Sequence, residues 1–445
     1  MTAIDRFRRD LLAACIALAI IPAGTHADAA RPAVPATWVV ENCDDDGPGS
    51  LRETLSMVAD GDAVDLSALQ CSTITLTTGA LEIAVGTLSM RGTRGRLTID
   101  AAGSSRVLVQ ESTGRLFLFG LGFANGFAAG ASGGCIYSPG RIDLYYVDVH
   151  DCLAEAPRSI GGGGVFAAGD LDVHYSTITG NRAIVANGRY YDSASGGGLF
   201  AGGDLSIDHS TISGNSVSGP PGYSTGGGFF SIGATMIASS TVDGNHAPFA
   251  GAGDIEAFET TQPSVIVDST ISGNTADFRT GGIVSFASIL RIKNSTLAFN
   301  STPTGFVGGG EGLLTLAYGN FLYLGSTIIA NNTAAGQPDD LCWQGDRGGG
   351  VTGNDNLIVA SWLGYEPADT IHLDPLLAPL ADNGGWTMTH ALLPGSPAID
   401  SGSNGSFLTT DQRGAPRVSG ASADIGAFEV QQPLPPDQIF ENGFD

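Results

Sequence analysis

Positive charge is scarce in this chain: 20 Lys and Arg stand against 45 Asp and Glu, for a formal net charge of −25. So acidic a body repels nucleic acid and anionic lipid at long range. It also repels polyuronates unless a cation intervenes. Long apolar runs are lacking as well. Beyond the first 29 residues, no segment reaches the ~20 apolar residues that a membrane-spanning helix needs. There is no C-x-x-C or C-x-x-H spacing for zinc, no Walker loop and no nucleophile elbow. These absences argue against nucleic-acid binding, a transmembrane helix, and nucleotide or zinc chemistry carried by those motifs.

Glycine is in excess, with 65 of 445 residues, about twice the ordinary share. Apolar residues remain plentiful, which points to a packed protein with very many turns rather than a disordered one. Residues 1–29 read as an export signal: Arg6, Arg8 and Arg9, then an apolar core from 11 to 23, then Ala27-Asp28-Ala29. Cys15 sits in a lipoprotein-like box, but the apolar core runs on past it, so lipidation there is not expected. Export implies an oxidising compartment for the remaining Cys43, Cys71, Cys135, Cys152 and Cys342. Cys43–Cys71 and Cys135–Cys152 are the sequence-near pairings, and they leave Cys342 odd.

The chain repeats itself. GGGVFAAGDLDVHYSTITGN ends at Asn181, GGGLFAGGDLSIDHSTISGN at Asn215 and GGGFFSIGATMIASSTVDGN at Asn245. Anchored on Ser-Thr at Ser176, Ser210, Ser240, Ser269, Ser295 and Ser326, the steps are 34, 30, 29, 26 and 31 residues. A degenerate copy lies upstream in RIDLYYVDVHDC, 141–152. Such a period signals a solenoid or a blade array. Apolar residues fall two apart before the anchor (Leu171/Val173, Leu205/Ile207, Leu290/Ile292, Phe321/Tyr323). Another follows two places after it (Ile178, Ile212, Val242, Ile271, Leu297, Ile328). This pattern describes short strands joined at a bend, and helical spacing is missing from these units. Propeller blades need ~40–50 residues. The fold class expected is all-β: a right-handed parallel β-helix with three short strands per coil, a short N-terminal capping helix and an irregular C-terminal cap.

The closing Asn181, Asn215, Asn245, Asn274, Asn300 and Asn331 are expected to occupy one turn as a hydrogen-bonded ladder. Glycine clusters mark another turn, where a Cβ is excluded. Ser50 and Glu53 form a capping box, and Leu51, Leu55 and Val58 share a helical face that can cover the first coil. The organisation expected is a signal over 1–29, a cap with the first coils over 30–110 and a β-helix core over 111–345. C-terminal coils with a cap follow over 346–430, then a linker and tail over 431–445.

CDDDGPGSLRETLSMVADGDAVDLS, 43–67, resembles the opening of secreted bacterial β-helix proteins of the CSLREA and polymorphic-outer-membrane-protein-like type. DPLLAPLADNGG, THALLPGSPAIDSG, TDQRGAPR and DIGAFE, within 374–429, resemble the choice-of-anchor Q module. The resemblance implies a right-handed β-helix exported by a Gram-negative bacterium, secreted or held at the outer membrane. It carries over no catalytic residue. IFENGFD, 439–445, is similar to a sorting or attachment ending.

Signals of chemistry are thin. Arg291-Ile292-Lys293 matches the Arg-Ile-Lys of polygalacturonase-like hydrolases but lacks their upstream Asn-Thr-Asp and His-Gly elements, so it reads as an exposed strand. Asp44-Asp45-Asp46 and Asp339-Asp340 read as solvated loops, which leaves Ca²⁺ unsupported and no cofactor or metal ligand assigned. His150, His246, His372 and His390 read as surface or turn residues. His174 and His209 lie in adjacent coils but one place apart in register, so they point differently. Two loops grow from one corner, 182–195 and 216–225. There Tyr190, Tyr191 and Tyr223, with Arg189 and Asp192, are expected to form an aromatic shelf for sugars or a protein partner. An outward column turns from polar (Asp172/His174, Ser206/Asp208) to apolar (Met236/Ala238, Val265/Val267, Leu322/Leu324), a strip expected to lie under the C-terminal segment. The reading is a monomeric, secreted or cell-surface protein that binds polysaccharide or another surface component, leaning away from an enzyme. The alternative is a lyase or glycoside hydrolase for pectin-like polymers. Clustered carboxylates with a basic residue on one outer face would favour that enzyme; converging tyrosines alone would favour binding.

Overall fold

The computed structural model describes residues 35–432 except 187, 190, 259, 304–310, 317–319 and 345–348. The segment read as an export signal, most of the expected linker, the tail and Tyr190 therefore lie outside the described residues. The chain winds as a right-handed parallel β-helix of about 11 turns. Among the described residues the coils stack into sheets of 12, 11, 9 and 10 strands, called here the first to the fourth in the order each coil visits them. One coil shows the plan. Leu171–His174 lies in the first sheet, Thr177–Thr179 in the second, Arg182–Val185 in the third and Leu199–Ala201 in the fourth. Each pairs in register with the next coil, as in Leu171↔Leu205, Ile178↔Ile212 and Leu199↔Phe229. The inward side chains stack, so that Val173, Ile207, Ile237, Ile266 and Ile292 form one buried column and Ile178, Ile212, Val242, Ile271 and Leu297 another.

Coils have four strands rather than the three expected. The extra one follows the ladder asparagine and is as short as His246–Ala247, too short for period-two patterning to register. Its inward residues are small, with Ala154, Ala183, Val217 and Ala247 forming a separate cluster in the tight corner.

The asparagine ladder is buried. Asn215 Nδ2 donates to Asn245 Oδ1 at 3.0 Å, Asn245 Nδ2 to Asn274 Oδ1 at 2.9 Å and Asn274 Nδ2 to Asn300 Oδ1 at 2.9 Å. The left-handed turn residue is the one before each asparagine, such as Gly214 (φ 61°) and Gly244 (φ 61°). Facing the ladder are the glycine triplets. A Cβ on Gly198 would lie 3.0 Å from the Asn215 amide carbon, and one on Gly197 would lie 2.3 Å from Gly227 O. Glycine and asparagine are thus two sides of one corner: only a residue without Cβ lets the next coil approach the amide planes.

In the last unit the Ser-Thr anchor misleads by one place. Ser326 takes the left-handed bend position of Asn294, at φ 48° and 46°, and Leu297 pairs with Ile329 rather than Ile328. The ladder consequently runs from Asn300 to Asn332, with Asn300 Nδ2 donating to Asn332 Oδ1 at 2.9 Å, while Asn331 fills the preceding left-handed slot at φ 61°. A one-residue slip exchanges the two faces of a strand. Leu322 and Leu324 are therefore buried, not outward, and Phe321 is the exposed residue at 51 %.

The N-terminal end is closed by a helix, Leu51–Met57, whose Leu51 and Leu55 are buried. Ser50 Oγ accepts from Glu53 N and Glu53 Oε2 accepts from Gly49 N. Cys43–Cys71 ties this cap to the first coils, and Cys135–Cys152 bridges the base of a later coil. After Leu357–Ile358 completes the stack, the chain turns back along the outside. It lies over the second sheet, not over the apolar strip of the first, where Met236 stays 48 % exposed. It buries Leu392, Ala398 and Ile425 against the outward Ile328 and Ala330 of the last coils, and on earlier coils it docks on outward threonines. Thr241 Oγ1 donates to Met388 O, Thr270 Oγ1 to Gln412 Oε1, and Ala427 N donates to Thr296 Oγ1. Hydroxyls on three successive coils give an irregular segment regularly spaced hydrogen-bond partners.

Candidate functional site

The tyrosine corner forms in part. Tyr191 and Tyr223 meet edge to face at 5.7 Å between ring centroids, and Asp192 Oδ2 accepts from Arg189 N within one turn. Tyr190, expected beside them, lies outside the described residues.

A denser constellation lies on the opposite side of the coil, on the outer face of the first sheet. It is built by register alone. Thr87, Arg115 and Arg141 align in one outward column; Ser89, Phe117, Asp143, Asp172 and Ser206 align in the next. Arg91, Phe119, Tyr145, His174 and Asp208 form the third. Arg115 grips Asp143 with both ends of its fork, at 2.6 and 2.9 Å. Arg141 reaches Asp143 at 3.1 Å, Asp170 at 3.8 Å and, closely, Asp172. Burial penalises the Asp143 charge, but the two guanidiniums outweigh it and hold the carboxyl below its usual range. Asp172 goes the other way. Burial raises it most and the neighbouring Asp143 adds to that, with Arg141 opposing. Three carboxylates share two guanidiniums, and Asp172 holds a proton more readily than Asp143 does.

Asp208 faces two imidazoles. His209 Nδ1 lies 2.8 Å from Oδ1 and His174 Nδ1 lies 3.4 Å from Oδ2. Half-burial works against the Asp208 charge, yet these two contacts hold its pKa well below the usual range. Both imidazoles thus spend Nδ1 on the same carboxylate. No group of three or more metal-ligating side chains occurs among the described residues.

Aromatic rings edge this row. His174 stacks on Tyr145 at 4.4 Å, and Tyr146, Tyr175 and His209 stack at the bend at 5.1 and 4.7 Å. The bend backbone is left-handed at Tyr146, Tyr175 and His209, with φ between 46° and 55°. The returning C-terminal segment adds Trp386, whose ring meets Tyr175 edge-on at 5.1 Å and carries the Arg94 guanidinium at 4.3 Å. A shallow concavity of about 540 Å³ opens beside it between Arg91, Arg94, Phe117 and Phe119. Carboxylates, guanidiniums, imidazoles and rings therefore line one exposed strip.

The other sequence candidates have structural partners. Asp45 Oδ2 accepts from the amides and hydroxyls of Thr77 and Thr78, and its Oδ1 from Arg52. It locks the cap. Asp340 Oδ1 receives the end of the asparagine ladder from Asn332, and burial raises it to about 6. His390 accepts from Ser272 Oγ and donates to Ala378 O, and burial holds it below its usual pKa. Arg291 and Lys293 do face outward on the first sheet, but four strand steps from Asp172, through Ser206, Met236 and Val265, roughly 19 Å. Cys342 is buried on the fourth sheet with Val284 and Leu314, and burial pushes its thiol up to about 11. Among the described residues no helix is long and apolar enough to cross a membrane.

No protein-family model matches the chain, and no curated protein sequence does. Among solved structures, pectate lyase Pel9A is similar over 88% of this chain and 96% of that one, with 14% identity and a TM-score of 0.45.

Proposed function

We propose that this chain is an exported β-helix protein that binds an uncharged polysaccharide along the outer face of its first sheet. The observation that carries the reading is the strip itself: Arg115, Asp143, Tyr145, Asp172, His174 and Asp208 on consecutive coils, walled by Trp386. Strands ~4.8 Å apart repeat hydrogen-bonding groups along the axis, which suits a polymer of short repeat. Charge selects the polymer. The strip's arginines are matched by Asp65, Asp143, Asp170, Asp172 and Asp208, and the whole chain carries −25. No positive potential remains to draw in a polyuronate, so pectin-like ligands are disfavoured, whereas hydroxyls can pair with carboxylate and guanidinium alike.

The segment from 374 to 429 we read as a choice-of-anchor Q-type module, and residues 43–67 as a CSLREA-type opening. Supporting this, the motif residues hold the segment together. Asp411 accepts from the amides of Arg413, Ala415 and Glu429, and Glu429 accepts from the amides of Ser419 and Asp424. The test of binding is retention on xylan, galactomannan, mixed-linkage glucan and chitin, against polygalacturonate and alginate, with and without Ca²⁺. Retention on an uncharged polymer independent of Ca²⁺ is expected. Retention on polyuronates alone, or on no polymer, overturns the reading.

A further inference from the structure

Asp172 and His174 stand two residues apart on one strand, so their side chains leave the same face roughly 7 Å apart. Opposite His174, on the next coil, is Asp208, with its Oδ2 3.4 Å from His174 Nδ1. A carboxylate at Nδ1 fixes the tautomer that carries its proton there, leaving Nε2 as a base directed away from Asp208. Asp172 lies against Asp143 and Arg141, in a group with one carboxylate more than guanidiniums, which suits a proton-holding acid. A carboxyl crowded by a second carboxylate, beside an imidazole held by a third, is a pairing that suits an acid and a base.

We propose that this strip hydrolyses a glycosidic bond of the polysaccharide it binds, with Asp172 as general acid and the Asp208-held imidazole of His174 as general base. A water oxygen bonds to the anomeric carbon as the bond from that carbon to the leaving sugar's oxygen breaks. His174 Nε2 takes a proton from the water, and the Asp172 carboxyl gives its proton to the departing oxygen. Exchange with solvent returns both groups to their starting states. The products are two shorter chains, one with a new reducing end. With stems roughly 7 Å apart on one face, the acid and base leave room for a water between base and sugar, an arrangement that suits inversion rather than retention. Asp208 acts through His174 and is a positioning residue; Arg141 holds Asp172 and tunes it.

This rests on the first sheet being the binding face, so retention and cleavage are measured on the same samples. The enzyme is incubated with xylan, galactomannan, mixed-linkage glucan and colloidal chitin. Reducing ends are counted, and the first-formed anomer is read by proton NMR. Release from a retained polymer with inverted configuration is expected. Asp172→Asn and His174→Gln each lower release by at least ~100-fold, counted per amount of protein retained on the polymer. Asp208→Asn moves the acid limb of the pH profile. A polymer retained by the wild type but not cut overturns hydrolysis and leaves the binding reading standing. A polymer neither retained nor cut overturns both. Release that survives Asp172→Asn, or a retained anomeric configuration, overturns this assignment of acid and base.

Discussion

Replacing Asn245 by Ala asks how much of the stack's stability runs through its buried amides. Asn245 Oδ1 accepts from Asn215 N at 2.9 Å and from Asn215 Nδ2 at 3.0 Å; its Nδ2 donates to Ile212 O at 2.8 Å and to Asn274 Oδ1 at 2.9 Å. Truncation removes four hydrogen bonds. Asn215 Nδ2 keeps Ile178 O and Asn274 Oδ1 keeps Asn245 N, so those partners are only weakened. The Asn215 amide N–H is left buried with no acceptor, at about 1–3 kcal/mol, and the remaining bonds contribute about 1 kcal/mol each. The expected loss is roughly 4–6 kcal/mol, read from the midpoint and slope of urea unfolding. Asn245→Asp keeps the acceptor but turns an oxygen toward Ile212 O, so it is expected to be as costly at pH 7 and less so at pH 4. A loss below about 1 kcal/mol for Asn245→Ala would refute the reasoning, because a side chain facing water has no such network to lose.

Gly197→Ala is expected to prevent folding or to cost several kcal/mol in thermal unfolding, since its Cβ would lie 2.3 Å from Gly227 O. At Gly222 (φ 84°), with nothing within 4 Å of a Cβ, the same change costs only about 1 kcal/mol of backbone strain. Leu322→Ser, fully buried, is expected to lose about 3 kcal/mol or more, while Phe321→Ser on the exposed face stays within about 1 kcal/mol; the reverse order would undo the register. Asp268 is buried between the second sheet's edge and the returning segment. Burial, with Asp411 adding and Arg417 opposing, pushes it up to about 8. An acid raised on folding contributes stability below its unfolded pKa that is lost as pH rises toward the folded value. The melting temperature should therefore fall between pH 5 and pH 8, and Asp268→Asn should flatten that fall; an unchanged slope would show the group already ionised.

Repetition made the stack legible. Matching residues at Ile178, Ile212 and Ile271 announced a common inward column, and the spacing of Gly clusters and Asn announced corners, because each coil solves the same packing problem. Identity failed as a guide where position ruled. Ser326 looks like the other anchor serines yet fills the left-handed slot that Asn294 fills one coil earlier, and a one-place slip moved Asn331 out of the ladder and Leu322 into the core. The site was harder to see. Arg115, Asp143, Asp172 and Asp208 are 28, 29 and 36 residues apart in sequence, and only ladder register brings them side by side. The available signal was the outward alternation Arg-x-Asp-x-Tyr followed by Asp-x-His, in coils read as degenerate or merely polar. Trp386 carried no signal at all, since its ring meets Tyr175, 211 residues earlier (386 − 175), on a segment without strand periodicity.

The measurement that bears most directly on the account is retention on the uncharged polymer that wild type binds, compared between Tyr145→Ala and Tyr191→Ala with their melting temperatures matched. Tyr145 stands on the first sheet in the stack with His174; Tyr191 stands on the loop corner across the coil. The account predicts about a tenfold loss of retention for Tyr145→Ala, the scale of one aromatic contact, and none for Tyr191→Ala. Loss in Tyr191→Ala with Tyr145→Ala unaffected would place the binding face at the loop corner and contradict it.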